Sequence, residues 1–228
     1  MVGRPRLTRR TPRAHAPGQH DPMSDDIWPV VHAQRRALAA DLADLSPEQW
    51  RTPSLCAGWS VHDVLAHMVA TAKETPRGFL AGMVTSGFRI SWFTEKRIAE
   101  ERSGGPDATL AAFRAVETAT SAPPGPTLSW LGEALVHAED IRRPLGITHD
   151  YPVAAVTAVT GFYAGSNVLI GGKRRVVGLT LQATDTDWSL GSGPVVAGPA
   201  RALMLATTGR KAALDDLTGP GVAALRAR

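Results

Sequence analysis

Apolar residues along most of this chain recur every three to four positions, and near the C-terminus they begin to alternate. The first spacing places side chains on one face of an α-helix, the second on one face of a strand. Between residues 25 and 45, Ile27, Val30, Val31, Leu38, Leu42 and Leu45 keep helical spacing. Ser46-Pro47-Glu48 stops and restarts the chain, with Pro suited to a first helical turn. Ser60, followed three residues later by Asp63, predicts a capped helix start, after which Val61, Val64, Leu65, Met68 and Val69 form a buried stripe. Thr75-Pro76 opens a helical region running to Arg102 with a break near Gly87. Further helices are predicted over 107–120, over 128–143 (closed by Pro144 and Gly146) and from 150 to about 169.

After Gly171-Gly172 the texture changes. Val177, Leu179, Leu181 and Ala183 alternate as in a half-buried strand, 188–190 extends again, and Gly198-Pro199 opens a helix through Thr208. The expected fold is therefore mainly α, with a helical domain over 23–170 and a small α/β domain over 171–228. A chain of 228 residues suits such a division. Apolar stretches such as 152–172 are interrupted by Thr, Gly, Ser and Asn, which excludes a membrane span.

Net charge changes the picture only after it is located. Residues 1–22 hold Arg4, Arg6, Arg9, Arg10 and Arg13 against Asp21 alone, which accounts for the whole +4, so residues 23–228 are neutral. The basic character belongs to a Pro- and Arg-rich tail read as disordered, not to a nucleic-acid-binding face. Cys56 is the sole cysteine, which excludes a disulfide framework and a cysteine zinc cluster and fits a reducing cytoplasm. The 21 Arg against 4 Lys point to a GC-rich genome.

The candidate chemistry lies in two helical segments. Glu133 and His137 stand four apart, hence on one helix face. Such a pair is more often a solvated face than a site. His67, at the edge of the stripe beside Val64, supplies what a chance pair lacks. Two imidazoles and a carboxylate suit zinc with a coordination position open for water, a thiol or substrate. Glu139 and Asp140 are candidates to orient His137 through its other ring nitrogen. His62 reads as a surface residue near a helix start, and His15, His20, His32 and His149 show no partners. Cys56 reads as a small buried thiol and Trp59 as packing at the helix start. Arg210 is a candidate for a substrate carboxylate, or equally a cation at a helix C-terminus.

These segments resemble the mycothiol-dependent maleylpyruvate isomerase family. The likeness rests on Cys56-Ala57-Gly58-Trp59-Ser60-Val61-His62-Asp63-Val64-Leu65-Ala66-His67 and on Glu133-Ala134-Leu135-Val136-His137-Ala138-Glu139-Asp140. At the C-terminus, 198–210 and Leu217-Thr218-Gly219 are similar to the family's second domain, while 76–127 carries no shared motif. The resemblance implies a DinB-like four-helix bundle with a divalent metal, expected to be zinc, on His67, Glu133 and His137. It also implies mycothiol as cosubstrate, a small electrophilic or carboxylate substrate, and an actinobacterial source. The reaction it implies is a cis–trans isomerisation or a thiol S-transfer. A non-catalytic metal- or ligand-binding module, and a hydrolase using metal-bound water, are the alternatives on the same residues.

Overall fold

The computed structural model describes residues 26–228; the basic tail over 1–22 lies outside the described residues. Eleven α-helices, a short 3-10 turn and three strands follow one another among the described residues. They are α1 (Trp28–Asp41), α2 (Pro47–Trp50), α3 (Val61–Lys73), α4 (Pro76–Thr85), α5 (Ile90–Arg102), α6 (Gly105–Ala115), α7 (Thr127–Arg142) and α8 (Val153–Gly165). Then come α9 (Gly172–Val176), β1 (Thr180–Ala183), β2 (Ser189–Gly191), β3 (Val195–Gly198), α10 (Ala200–Thr207), the 3-10 turn Lys211–Asp216 and α11 (Val222–Arg226). The protein is mainly α, with a small sheet near its C-terminus. No helix among the described residues is long and apolar enough to cross a membrane.

The local signals act as expected. Ser60 accepts a hydrogen bond from the Asp63 amide at 3.2 Å and the Asp63 carboxylate accepts from the Ser60 amide at 2.8 Å, closing the capping box at the start of α3. The break near Gly87 separates α4 from α5, and there Gly87 and Phe88 both take positive φ. The expected helix over 107–120 starts at Gly105 and stops at Ala115.

The sheet holds one strand that the alternation misses. β1 pairs antiparallel with β2 and parallel with β3, in the order β2-β1-β3, with Thr180 opposite Gly191 on one side and Val195 on the other. β3 is four residues between glycine turns, too short to show a period. To reach β3 the chain steps across the end of β1 within three residues, 192–194. A side chain at Gly193 (φ 129°) would come within 2.1 Å of the Gly178 carbonyl, and one at Gly191 (φ 89°) within 2.3 Å of that of Leu179. Only glycine permits so close a crossing. α9 fills the stretch just before the expected strand, for which the sequence pattern predicted no element.

Two apolar clusters hold the molecule. One packs Leu38 of α1 and Leu42 just past its end, the stripe Val61, Val64, Leu65, Met68 and Val69 of α3, Leu110 and Phe113 of α6, and Ala138 and Ile141 of α7. This is the four-helix bundle. The other joins Leu131, Ala134 and Leu135 of α7 and Val156 and Val159 of α8 to Leu181, Val196 and Leu203 in the C-terminal segment. Helix α7 serves both, so it is apolar on two flanks. Between those flanks runs a polar stripe at Glu133, His137 and Asp140, spaced i, i+4, i+7.

Candidate metal centre

Stripe and bundle bring the three expected ligands together. His67, on α3, faces α7, and the ligand atoms of His67, Glu133 and His137 all lie within 4.8 Å of one another. His67 Nε2 stands 3.0 Å from Glu133 Oε1, and His137 Nε2 stands 3.5 Å from Glu133 Oε2. The two imidazole rings meet edge to face with centroids 4.9 Å apart. Glu133 Oε1 is buried and, despite its closeness to His67, lacks the alignment of a hydrogen bond.

Electrostatics in this cluster are set by burial against charge. Burial would raise the Glu133 carboxyl, but the charges of His137 and His67 outweigh it and hold it well below the usual range. Burial would likewise lower His137, and Glu133 and Asp140 instead hold it well above an ordinary imidazole.

Asp140 links the cluster to the rest of the molecule. It is fully buried. Its Oδ2 lies 2.8 Å from His137 Nδ1, accepts from Cys56 Sγ at 3.1 Å and from Arg210 Nη2 at 2.7 Å, and Oδ1 accepts from Arg210 Nε at 2.9 Å. The Leu55 amide donates to the Asp140 carbonyl at 3.2 Å, which lays the loop before α3 against α7. Burial alone would raise this carboxyl; its hydrogen bonds from His137 and Arg210 carry it below the ordinary range. With Asp140 on Nδ1, His137 presents Nε2 toward Glu133.

Each remaining expectation has a place. Arg210 forms a forked pair with Asp140, donates to the Thr208 carbonyl at 2.9 Å and reaches Cys56 Sγ at 3.6 Å. Glu139 turns away from His137: it accepts from the Tyr151 hydroxyl at 2.8 Å and faces Arg201 at 3.6 Å. Trp59 packs on His67 with ring centroids 5.1 Å apart. His62 is buried rather than at the surface, its Nε2 2.8 Å from Thr109 Oγ1 and its ring edge-on to Trp50. Because Ser60 is the cap, His62 already lies in the first turn of α3, on the side that packs on α6. His149 is partnered too, with Gln34 at 2.9 Å.

Tyr163 is the site neighbour that sequence reasoning missed. Its ring lies over Gly132, where a Cβ would meet the Tyr163 hydroxyl at 2.5 Å. Burial, and then the charge of Glu133, push its phenol up to about 12. The available signal was Gly132 itself, a glycine inside a helix beside a candidate ligand.

The donor set can be tested against a metal directly. A buried carboxylate oxygen without a hydrogen bond, next to two imidazole nitrogens, fits a divalent cation. Cys56, His137 and Asp140 form a second close group. There the Arg210 guanidinium already supplies the positive charge, so that group is a hydrogen-bond network.

Residues 31–139, just under half of the chain, match the family model described as "Mycothiol maleylpyruvate isomerase N-terminal domain". By sequence and by fold, the chain is similar to the mycothiol-dependent maleylpyruvate isomerase family. A crystal structure of the mycothiol-dependent maleylpyruvate isomerase superposes with a TM-score of 0.58 at 15% identity, over 85% of this chain and 91% of that one. A histidine-to-alanine mutant of that enzyme gives 0.59 at 16%, over the same shares. No curated protein matches the chain by sequence. At these identities the solved structures establish the shared fold. The fold expected from the sequence is thus the one observed, a helical bundle with a small C-terminal sheet, isomerase-like in architecture.

Proposed function

We propose that this chain is a metal-dependent enzyme that uses a low-molecular-weight thiol of the mycothiol type, either for cis–trans isomerisation or for S-transfer. The observation that carries the reading is the convergence of His67, Glu133 and His137, with Glu133 Oε1 buried and unbonded. These three residues would hold the ion, of which zinc is the proposed identity. A divalent ion there supplies acidity: a thiol bound to it is deprotonated, whereas a free thiol at neutral pH is mostly protonated.

The chain's own groups then have definite work. Asp140 holds His137 in one tautomer and orientation, and Arg210 neutralises Asp140 from the C-terminal segment. Trp59 over His67 and Tyr163 over Gly132 line the site with aromatic surface. Cys56 Sγ points at Asp140, so the reactive thiol is proposed to come from the cosubstrate. In an isomerisation that thiolate adds to the double bond of an unsaturated acid, the new single bond rotates, and elimination restores the double bond. In a transfer the carbon–sulfur bond is kept, and the carbanion left by the addition takes a proton from solvent instead of expelling the thiolate. Arg210 is proposed to lend its charge to a substrate carboxylate while its fork holds Asp140.

Cobalt substitution tests this. The cobalt form is expected to show a visible spectrum that changes on adding mycothiol and that is lost, with the metal, in His137→Ala. Turnover should require the thiol. Hydrolytic turnover by the metal form without any thiol would overturn the thiol reading and leave the metal centre standing.

A further inference from the structure

Helix α4 is apolar on two sides and packed on one. Phe79 and Gly82 turn toward α5, where the Phe79 and Phe93 rings meet edge to face and a Cβ on Gly82 would lie 2.2 Å from the Phe93 ring. No residue of α4 is buried. Leu80 and Val84, four apart and so on one face turned away from α5, are 63% and 58% exposed. Arg77 heads the same stripe, seven positions before Val84.

The turn into α5 extends this surface. Phe88 takes φ 61°, which is rare for a residue with a side chain, and its amide donates to the Met83 carbonyl at 2.8 Å. Its ring nevertheless stays 70% exposed, and Ile90 and Trp92 follow it into solvent. Five of the ten large apolar side chains exposed among the described residues thus fall within 80–92, which makes them a patch and not a surface scatter.

Charge identifies what the patch meets. Between residues 75 and 94 there are two cations, Arg77 and Arg89, and no acid. Both arginines are exposed, and neither pairs with a carboxylate among the described residues. Since residues 23–228 are neutral in sum, the +2 of 75–94 leaves −2 on the rest of that span. An anionic surface therefore attracts the hairpin and repels the remainder, so the hairpin arrives first. A second copy of the chain would bring the same two cations against these. Phe and Trp beside an apolar stripe rimmed by Arg suit the headgroup layer of a bilayer. At ten residues α4 is too short to span the hydrocarbon, which takes about 20, so it would lie in the interface.

We propose that the α4–α5 hairpin is a peripheral docking surface for an anionic phospholipid membrane, with Leu80, Val84, Phe88 and Trp92 entering the headgroup layer and Arg77 and Arg89 meeting its phosphates.

Co-sedimentation of the full chain with vesicles of equal parts phosphatidylcholine and phosphatidylglycerol tests it. Binding is expected, weaker at high salt and much weaker to phosphatidylcholine alone. Leu80→Ser with Val84→Ser should weaken it about tenfold or more, and so should Arg77→Glu with Arg89→Glu. Both variants should melt as the wild type does, because these side chains are exposed. Trp92 is the exposed one of the six tryptophans, so emission should shift to shorter wavelength on vesicles, and Trp92→Phe should remove the shift. No binding, or equal binding to phosphatidylcholine alone, would overturn the proposal. So would unchanged binding in either double variant: each keeps the basic tail over 1–22, to which the attraction would then belong. A lipid-free dimer abolished by Leu80→Ser with Val84→Ser, without vesicle binding, would give the face to a second copy and overturn the membrane assignment. None of these measurements involves metal or thiol, so their outcome is independent of the chemistry proposed above.

Discussion

Asp140 bears more of this structure than its size suggests, because three different side chains converge on two oxygens that no water reaches. Replacing it by Asn keeps the shape but removes the charge that Arg210 and His137 face. Breaking a buried, hydrogen-bonded ion pair costs on the order of 3–5 kcal/mol. With the amide still able to accept one bond, a loss of about 3 kcal/mol is expected for Asp140→Asn in urea unfolding at neutral pH. The pH dependence follows from the direction of the shift. Asp140 is held below its ordinary value of 3.8. Its stabilisation is therefore fully present above the unfolded value and is lost as pH falls through the folded one. The stability gap between wild type and Asp140→Asn should narrow steadily below about pH 4; a gap constant from pH 7 to pH 3 would refute this account. The role of Asp140 was partly legible, since it stands three residues from His137, whereas its pairing with Arg210 spans seventy positions that no local pattern connects.

At the level of elements, the sequence announced whatever depended on local chemistry. The Ser60 cap, the α4–α5 break at Gly87 and the i, i+4 pair on α7 all depend on residues within a few positions of one another, and all stand where expected. β3, α9 and the burial of His62 depend on which surface comes to cover them, so they were not readable. Packing of α8 on α7 belongs to the same class and yields a prediction. Gly132→Ala improves helix propensity by about 1 kcal/mol but drives a methyl into the Tyr163 ring, where overpacking costs about 1–3 kcal/mol. A net loss near 1 kcal/mol is expected in thermal unfolding. A spectroscopic mark should accompany it. The chain has two tyrosines, Tyr151 and Tyr163, and both phenols are held above their ordinary value. The wild type should show no phenolate at pH 10, and Gly132→Ala should release Tyr163 toward ordinary titration. An unchanged titration would mean that the ring is not held by Gly132.

For the whole molecule, the question is what the change of texture near residue 170 divides. We propose that 23–170 and 171–228 are units of chain organisation and not of independent folding. The α7–α8 face contributes Leu131, Leu135, Val156 and Val159 to a cluster whose other half is Leu181, Val196 and Leu203. Polar links cross the same boundary: Arg143 to Asp216 at 2.6 Å and Arg210 to Asp140 at 2.7 Å. Removing 171–228 would expose that face to water at about 25 cal/mol per Å² of apolar surface and leave Asp140 buried without its cation. A chain ending at residue 170 should therefore lose its cooperative thermal transition and bind metal far more weakly than the full chain, although His67, Glu133 and His137 are all present in it. Circular dichroism melting and metal analysis after dialysis decide the matter. A truncated chain that melts cooperatively and retains one metal would show that the bundle builds its centre alone, and that Arg210 acts on substrate and not on the fold.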